Sequence, residues 1–145
     1  MYFVDQKKIE KTLTYMEKVL SEVNHQPANS FKDKLFLERA TELIIETVLD
    51  VGNMMIDGFI MRDPGSFEDI IDILVDEKVL PKADEAGYKE IITLRKMVVK
   101  DYLTIDHTLL DSTLQRNKEM LSQFGSHIRS YLNDEAGVAN AFSND

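Results

Sequence analysis

Cysteine is absent from this sequence of 145 residues. Its absence excludes disulfide bonds, thiolate nucleophiles and metal sites built from cysteine. It also agrees with a reducing compartment, so we expect the protein to reside in the cytoplasm. Long apolar runs are absent as well. No stretch could span a bilayer, and residues 1–5 are too short and too soon charged for a signal peptide. We therefore expect no membrane partner.

Positive charge is scarce in this chain. Lysine and arginine number 17 against 26 aspartates and glutamates, which gives a net charge of −9. This balance disfavours binding to nucleic acid through broad electrostatic attraction, and we expect no DNA partner. A local basic patch could still bind RNA.

Motifs for metals and cofactors are also missing. The three histidines, His25, His107 and His127, are far apart in the sequence, and we interpret them as structural or loop residues rather than metal ligands. No glycine-rich phosphate loop occurs. The sequence therefore predicts neither a metal nor a cofactor.

What the sequence does contain is helical periodicity. Between Asp5 and Asn24, apolar residues recur at alternating spacings of four and three, and similar patterns follow along the chain. The second pattern runs from about residue 31 to 61, the third from 67 to about 78, the fourth carries Arg95, and the last ends near 132. These five patterns predict an all-α, up-and-down bundle of four to five helices in a single domain over residues 1–145. Residues 133–145 are predicted to be a frayed acidic tail.

The second pattern is apolar on several faces, which is typical of a central helix covered by neighbours on more than one side. Gly52 and Gly58 within it favour a close helix approach or a bend, because glycine costs helix stability otherwise. Asp50 and Asn53 are polar interruptions. They either face a groove and make local hydrogen bonds, or they line the same cleft as Arg95.

The stretch from Thr93 to Asp106 mixes apolar residues with an unusual set of polar ones. On an ideal helix, Arg95 and Tyr102, seven residues apart, point nearly the same way. One interpretation is an amphipathic helix whose arginine binds a carboxylate and whose tyrosine half-buries its ring.

The same spacing resembles a signature of the HEPN superfamily, in its HepT-like toxin group, which carries Arg-x-x-x-x-His-x-Tyr late in an all-helical domain. Here Arg95 and Tyr102 match, and Lys100 stands in the histidine position. The apolar-rich segment from Glu38 to Thr47 resembles the long central helix of that group. The similarity covers nearly the whole chain in the order and length of its helices.

The resemblance implies a metal-independent endoribonuclease, assembled as a homodimer and paired with a nucleotidyltransferase antitoxin. Arg95 would bind phosphate, and Tyr102 would be the residue that the antitoxin modifies or a positioning residue. Lys100 would occupy the catalytic histidine position. A lysine ammonium binds phosphate but is a poor proton shuttle near neutral pH, so we expect weakened RNA cleavage. Asp101 could pair with Lys100 and hold it charged.

Two functional hypotheses remain open. The first is a weakened HepT-like ribonuclease toxin. The second is a non-catalytic HEPN-like helical dimer that binds a partner protein or a nucleotide through the same cleft. Both include a homodimer, which the apolar central helix and the apolar stripe of the last helix favour.

Overall fold

The computed structural model describes residues 4–23 and 29–143, the last eight of these by their backbone alone. His25 lies outside these ranges. Over the described residues the chain forms α-helices joined by short turns, without a strand. The helices are α1 (Gln6–Glu22), α2 (Phe31–Gly58), α3 (Phe67–Asp76), α4 (Glu85–Thr93), α5 (Arg95–Val99), α6 (His107–Arg116), α7 (Lys118–Ser122) and α8 (Phe124–Ser143). The predicted all-α bundle is confirmed.

Side chains at the helix starts explain several of these bounds. Ser66 caps the start of α3, because its hydroxyl accepts a hydrogen bond from the backbone N–H of Asp69, at 3.0 Å. Asp106 does the same for the N–H of Leu109 at the start of α6. Each cap satisfies a backbone donor that lacks a partner in the first turn, which fixes where the helix begins.

Helix α2 is the centre of the bundle, with α1, α3, α5 and α6 packed against it. Its apolar residues are covered by these neighbours, including Ile44, Ile45, Val48, Val51, Met55 and Ile56. The predicted close approach at Gly52 is confirmed, since a Cβ there would lie only 2.6 Å from Cγ2 of Ile70 on α3. The apolar middle of α2 is thus buried within one chain.

The last predicted helix is interrupted at Asn117 and at Gln123, which divides it into α6, α7 and α8. The amide of Asn117 is buried and donates to Oε1 of Glu90 on α4 and to the carbonyl of Thr113. These hydrogen bonds of Asn117 hold the chain to α4 at the point where α6 ends. The apolar stripe faces the core in all three segments, at Leu110, Leu114, Leu121, Phe124 and Ile128. The backbone is helical as far as Ser143, so fraying of residues 133–145 stays a prediction.

Among the residues described, no helix combines the length and the apolar character needed to cross a membrane.

Candidate functional site

Arg95 is the first residue of α5, directly after the short break that separates it from α4. Its Nε donates a hydrogen bond to Oε1 of Glu46 on α2, at 2.7 Å. Its guanidinium carbon lies 4.6 Å from the ring centroid of Phe67, the first residue of α3. Three helices therefore fix one side chain, through a charged hydrogen bond and a cation–π contact.

This arrangement leaves part of the guanidinium unused. Only Nε is bound to Glu46, and the terminal nitrogens of Arg95 have no protein acceptor within the described part of the chain. The side chain is 28% exposed, so solvent and solutes reach it. Because two terminal N–H groups in a planar fork match two oxygens of a phosphate, Arg95 is oriented to bind one.

Lys100 directly follows α5 and is exposed. The expected pairing with Asp101 does not form, because Asp101 instead lies 3.7 Å from Nζ of Lys96. Over residues 4–23 and 29–143, no carboxylate pairs with the ammonium of Lys100. Lys100 thus presents an uncompensated positive charge at the position where the family motif has histidine.

Tyr102 is not on the Arg95 helix, which corrects the expectation of one continuous helix. Helix α5 ends at Val99, and the N–H groups of Lys100 and Asp101 both donate to the carbonyl of Lys96. The chain then turns through a short 3₁₀ segment, Tyr102–Thr104. The Tyr102 side chain is 65% exposed, so its ring is not half-buried, and its hydroxyl is accessible to another protein.

Asp50 and Asn53 lie on the solvent-exposed face of α2, one and two turns beyond Glu46. Although Asp50 is exposed, neighbouring atoms partly desolvate its carboxyl. This desolvation, together with the negative charge of Glu46, raises the pKa of Asp50 above its usual value. Asp50 is therefore part of the electrostatic surroundings of the Glu46–Arg95 pair, whereas no contact connects Asn53 to Arg95.

His107 has a partner that could not be predicted from the sequence. Its Nε2 lies 2.6 Å from Oε2 of Glu38, across 69 residues of sequence. Glu38 and Glu46 are both on α2, eight residues apart, which corresponds to about 12 Å along a helix axis. The chain from Arg95 to His107 therefore runs along α2 in the opposite direction, with Lys100 and Tyr102 between the two anchored ends.

Within the described residues, no group of three or more histidine, aspartate or glutamate side chains is arranged to hold a metal ion. The groups available for chemistry along this connection are a guanidinium, an ammonium, a phenol and an imidazole, from Arg95, Lys100, Tyr102 and His107. They can bind phosphate oxygens and exchange protons without redox chemistry.

Comparison with known proteins gives a consistent result. The sequence model of the family described as Ribonuclease HepT-like matches residues 8–128. The chain is 47% identical over 143 residues to a protein of Bacillus subtilis (strain 168) named "Putative RNase YutE", and the match covers 98% of this chain and 99% of that protein. A solved structure of YutE, described as a cytosolic protein of unknown function from Bacillus subtilis, superposes with a TM-score of 0.90 at 46% identity. It covers 94% of this chain and 96% of that one. Together with the helical fold and the Arg95–Tyr102 spacing, these matches show that the chain belongs to the ribonuclease HepT-like family.

Proposed function

We propose that this protein is a weak, metal-independent endoribonuclease of the cytoplasm, acting as the toxin of a pair with a nucleotidyltransferase antitoxin. The observation that carries the proposal is the state of Arg95. It is held by Glu46 and Phe67, yet its terminal nitrogens are free to bind a phosphate. The family and the RNase name of the relative support RNA as the substrate.

The proposed cleavage is weak because Lys100 replaces the motif histidine. Its exposed ammonium adds attraction for the RNA backbone but does not readily exchange protons near neutral pH. Positioned general acid–base catalysis contributes typically 10²–10⁴-fold, so a site that lacks a proton shuttle at the motif position keeps binding and loses part of its rate.

Tyr102 is the proposed target of the antitoxin. Its exposed hydroxyl lies between Arg95 and His107 along the chain. A nucleotide attached there would bring phosphate charge and bulk next to Arg95 and exclude RNA. Co-expression with a nucleotidyltransferase should add one nucleotide monophosphate to the protein mass, and Tyr102→Phe should prevent the addition. Tyr15, also exposed, provides the control: Tyr15→Phe should still be modified.

We propose that the active form is a homodimer. The apolar stripes that first favoured a dimer are buried within the chain, so the support now comes from other residues. Leu35, three residues before Glu38, and Leu109, two residues after His107, are exposed, and Leu103 on the connection between Arg95 and His107 is 88% exposed. We propose that these exposed leucines form one patch at a two-fold interface.

Light scattering at micromolar concentration tests the dimer. We expect twice the chain mass of 16.7 kDa for the wild type and a shift toward monomer for Leu103→Asp. Ile60→Asp changes an equally apolar exposed residue away from this patch and should leave the mass unchanged. A wild-type protein of monomer mass would contradict the proposal.

The function itself is tested by inducing the chain without an antitoxin and following growth. We expect growth arrest with the wild type and normal growth with Arg95→Ala. Arg116→Ala removes an arginine that is paired with Glu90 on the surface and should still arrest growth. Purified protein should cleave single-stranded RNA in the presence of a chelator, and cleavage that requires added metal would contradict the proposed mechanism.

The second candidate is a non-catalytic helical dimer that binds a partner protein or a nucleotide. The unpaired Lys100 in the histidine position favours it, because an ammonium serves anion binding better than proton transfer. Nucleotide binding that Arg95→Ala abolishes, without any RNA cleavage by the wild type, would support this candidate.

A further inference from the structure

The Glu38–His107 contact is not part of the family motif, yet it resembles the pairing of an imidazole with an orienting carboxylate that catalytic histidines use. The Nε2–Oε2 distance is 2.6 Å, and each of the two side chains is 22% exposed. Both are thus largely shielded while one edge of the pair still meets solvent. Glu38 fixes the orientation of the ring from a second helix.

The hydrogen bond to Glu38 determines which ring nitrogen is available. When the neutral imidazole donates its Nε2–H to the carboxylate, Nδ1 carries the lone pair and can accept a proton. Nδ1 has no hydrogen-bond partner within residues 4–23 and 29–143. In this tautomer Glu38 anchors Nε2, and Nδ1 is free to accept a proton.

The position of His107 relates it to Arg95. Their carboxylate partners lie about 12 Å apart along α2, as expected for eight residues of helix. Asp106, next to His107, donates its backbone N–H to Sδ of Met97 on α5, which folds the connection back against the Arg95 helix. A single phosphate does not bridge two groups so far apart, but successive phosphates of one RNA strand can.

We propose that His107, oriented by Glu38, is the proton-transfer residue of this ribonuclease, and that Arg95 binds a neighbouring phosphate of the same RNA strand. This inference rests on the proposed function and deepens it. In this assignment the general base comes from the start of α6, although Lys100 replaces the motif histidine. Glu38 is then a positioning residue, and His107 is a catalytic one.

The chemical step conserves atoms and charge. Nδ1 of His107 takes the proton of a ribose 2′-OH, and the 2′ oxygen forms a bond to the adjacent phosphorus. The bond between phosphorus and the 5′ oxygen breaks, and the imidazolium returns its proton through water to that departing oxygen. The products are a 2′,3′-cyclic phosphate and a 5′-hydroxyl end, with no net consumption of acid or base.

The pH dependence follows from this role. Glu38 on α2 contacts His107 directly, and Asp106 and Asp111 are the acidic residues nearest to it in sequence on its own cap and helix. A general base must be unprotonated to act, so we expect kcat of the wild type to rise with pH. Removing His107 should flatten that rise.

The experiment measures kcat, KM and the pH profile for a single-stranded RNA oligomer longer than a dinucleotide. We expect His107→Gln to lower kcat by roughly 100-fold, the low end of the effect of general acid–base catalysis, with a small change in KM. Added imidazole should restore part of the activity of His107→Ala. His127→Gln, a matched change on α8, should have no effect.

Two results would overturn this assignment while leaving the ribonuclease function intact. One is a His107→Gln protein whose kcat and pH profile equal those of the wild type while Arg95→Ala is impaired. The other is a His107→Ala protein that loses cleavage but is folded and does not respond to imidazole. An absence of cleavage in the wild type and in Lys100→His would instead overturn the proposed function, and this inference with it.

Discussion

Arg95 and Arg129 both reach across the bundle to carboxylates on other helices, but they use different parts of the guanidinium. Arg129 on α8 donates from Nε, Nη1 and Nη2 to the carboxylates of Glu10 and Glu17 on α1. These hydrogen bonds, to Glu17 and then to Glu10, raise the pKa of Arg129. Arg95 donates to Glu46 from Nε alone and rests on Phe67.

The difference separates an arginine whose donors are occupied within the chain from one that keeps donors for a ligand. The donors of Arg129 are occupied by protein acceptors, so it joins α8 to α1 and has little capacity for a ligand. Arg95 is equally well oriented but keeps its terminal nitrogens for another molecule. A guanidinium that is fixed on one side and free on the other is prepared for phosphate at low entropic cost.

The largest effect that we expect is the loss of RNA cleavage in the Arg95→Ala protein. We expect kcat/KM to fall by roughly 100-fold, mainly through KM, because a charge-assisted contact to phosphate is lost. Stability should change little, since a partly exposed ion pair contributes a small amount. The measurement is RNA cleavage together with urea unfolding. An Arg95→Ala protein with wild-type kcat/KM would show that the comparison of the two arginines is mistaken.

The second-largest effect that we expect is an increase in kcat for RNA cleavage. Lys100→His restores the motif and should raise kcat by about tenfold, since general acid–base catalysis is typically worth more than that when fully positioned. The increase should be greatest near pH 6 to 7, where histidine titrates. Lys100→Gln removes the charge without adding a proton shuttle and serves as the control. An unchanged rate in a folded Lys100→His protein would show that residue 100 does not limit proton transfer, and an absence of cleavage in both proteins would favour the non-catalytic hypothesis.

Arg129→Ala should have the opposite profile from Arg95→Ala. We expect a loss of about 1 kcal/mol in the free energy of unfolding, because two partly exposed ion pairs are removed and Glu10 and Glu17 are left without their partner. RNA cleavage per folded molecule should stay at the wild-type level. Urea unfolding and RNA cleavage on the same preparation measure both. Intact stability with lost cleavage would reverse the assignment of the two arginines.

The smallest effect that we expect is a pH dependence of the difference in stability between the wild type and Arg129→Ala. The hydrogen bond from Arg129 lowers the pKa of Glu10 below its ordinary value of 4.5. The stabilisation is therefore fully present above that value and is lost as pH falls through the lower pKa of the folded state. The wild type and Arg129→Ala should differ at pH 7 and approach each other below about pH 4. A constant difference from pH 7 to pH 3 in urea unfolding would contradict this cause.

The order and faces of the helices could be predicted from the sequence because they depend on local repetition. Apolar residues recurring every three or four positions bury one face wherever the helix lies, so the stripe residues Leu13, Leu114 and Ile128 are in the core as expected. The cap at Ser66 follows from residues only three positions apart. Gly52 also indicated a close approach without showing which helix would approach.

The pairings that give the site its chemistry were decided by the tertiary structure alone. Glu46 meets Arg95 across 49 residues, and Glu38 meets His107 across 69. The ordinary helical spacing of these carboxylates on α2 does not distinguish them from other acidic surface residues. The end of α5 at Val99, which separates Tyr102 from the Arg95 helix, likewise coincides with the fold of the connection back onto Met97. Such contacts depend on how helices pack in three dimensions. A periodicity of 3.6 residues shows which face of a helix is buried, but not which residue of another helix lies against it.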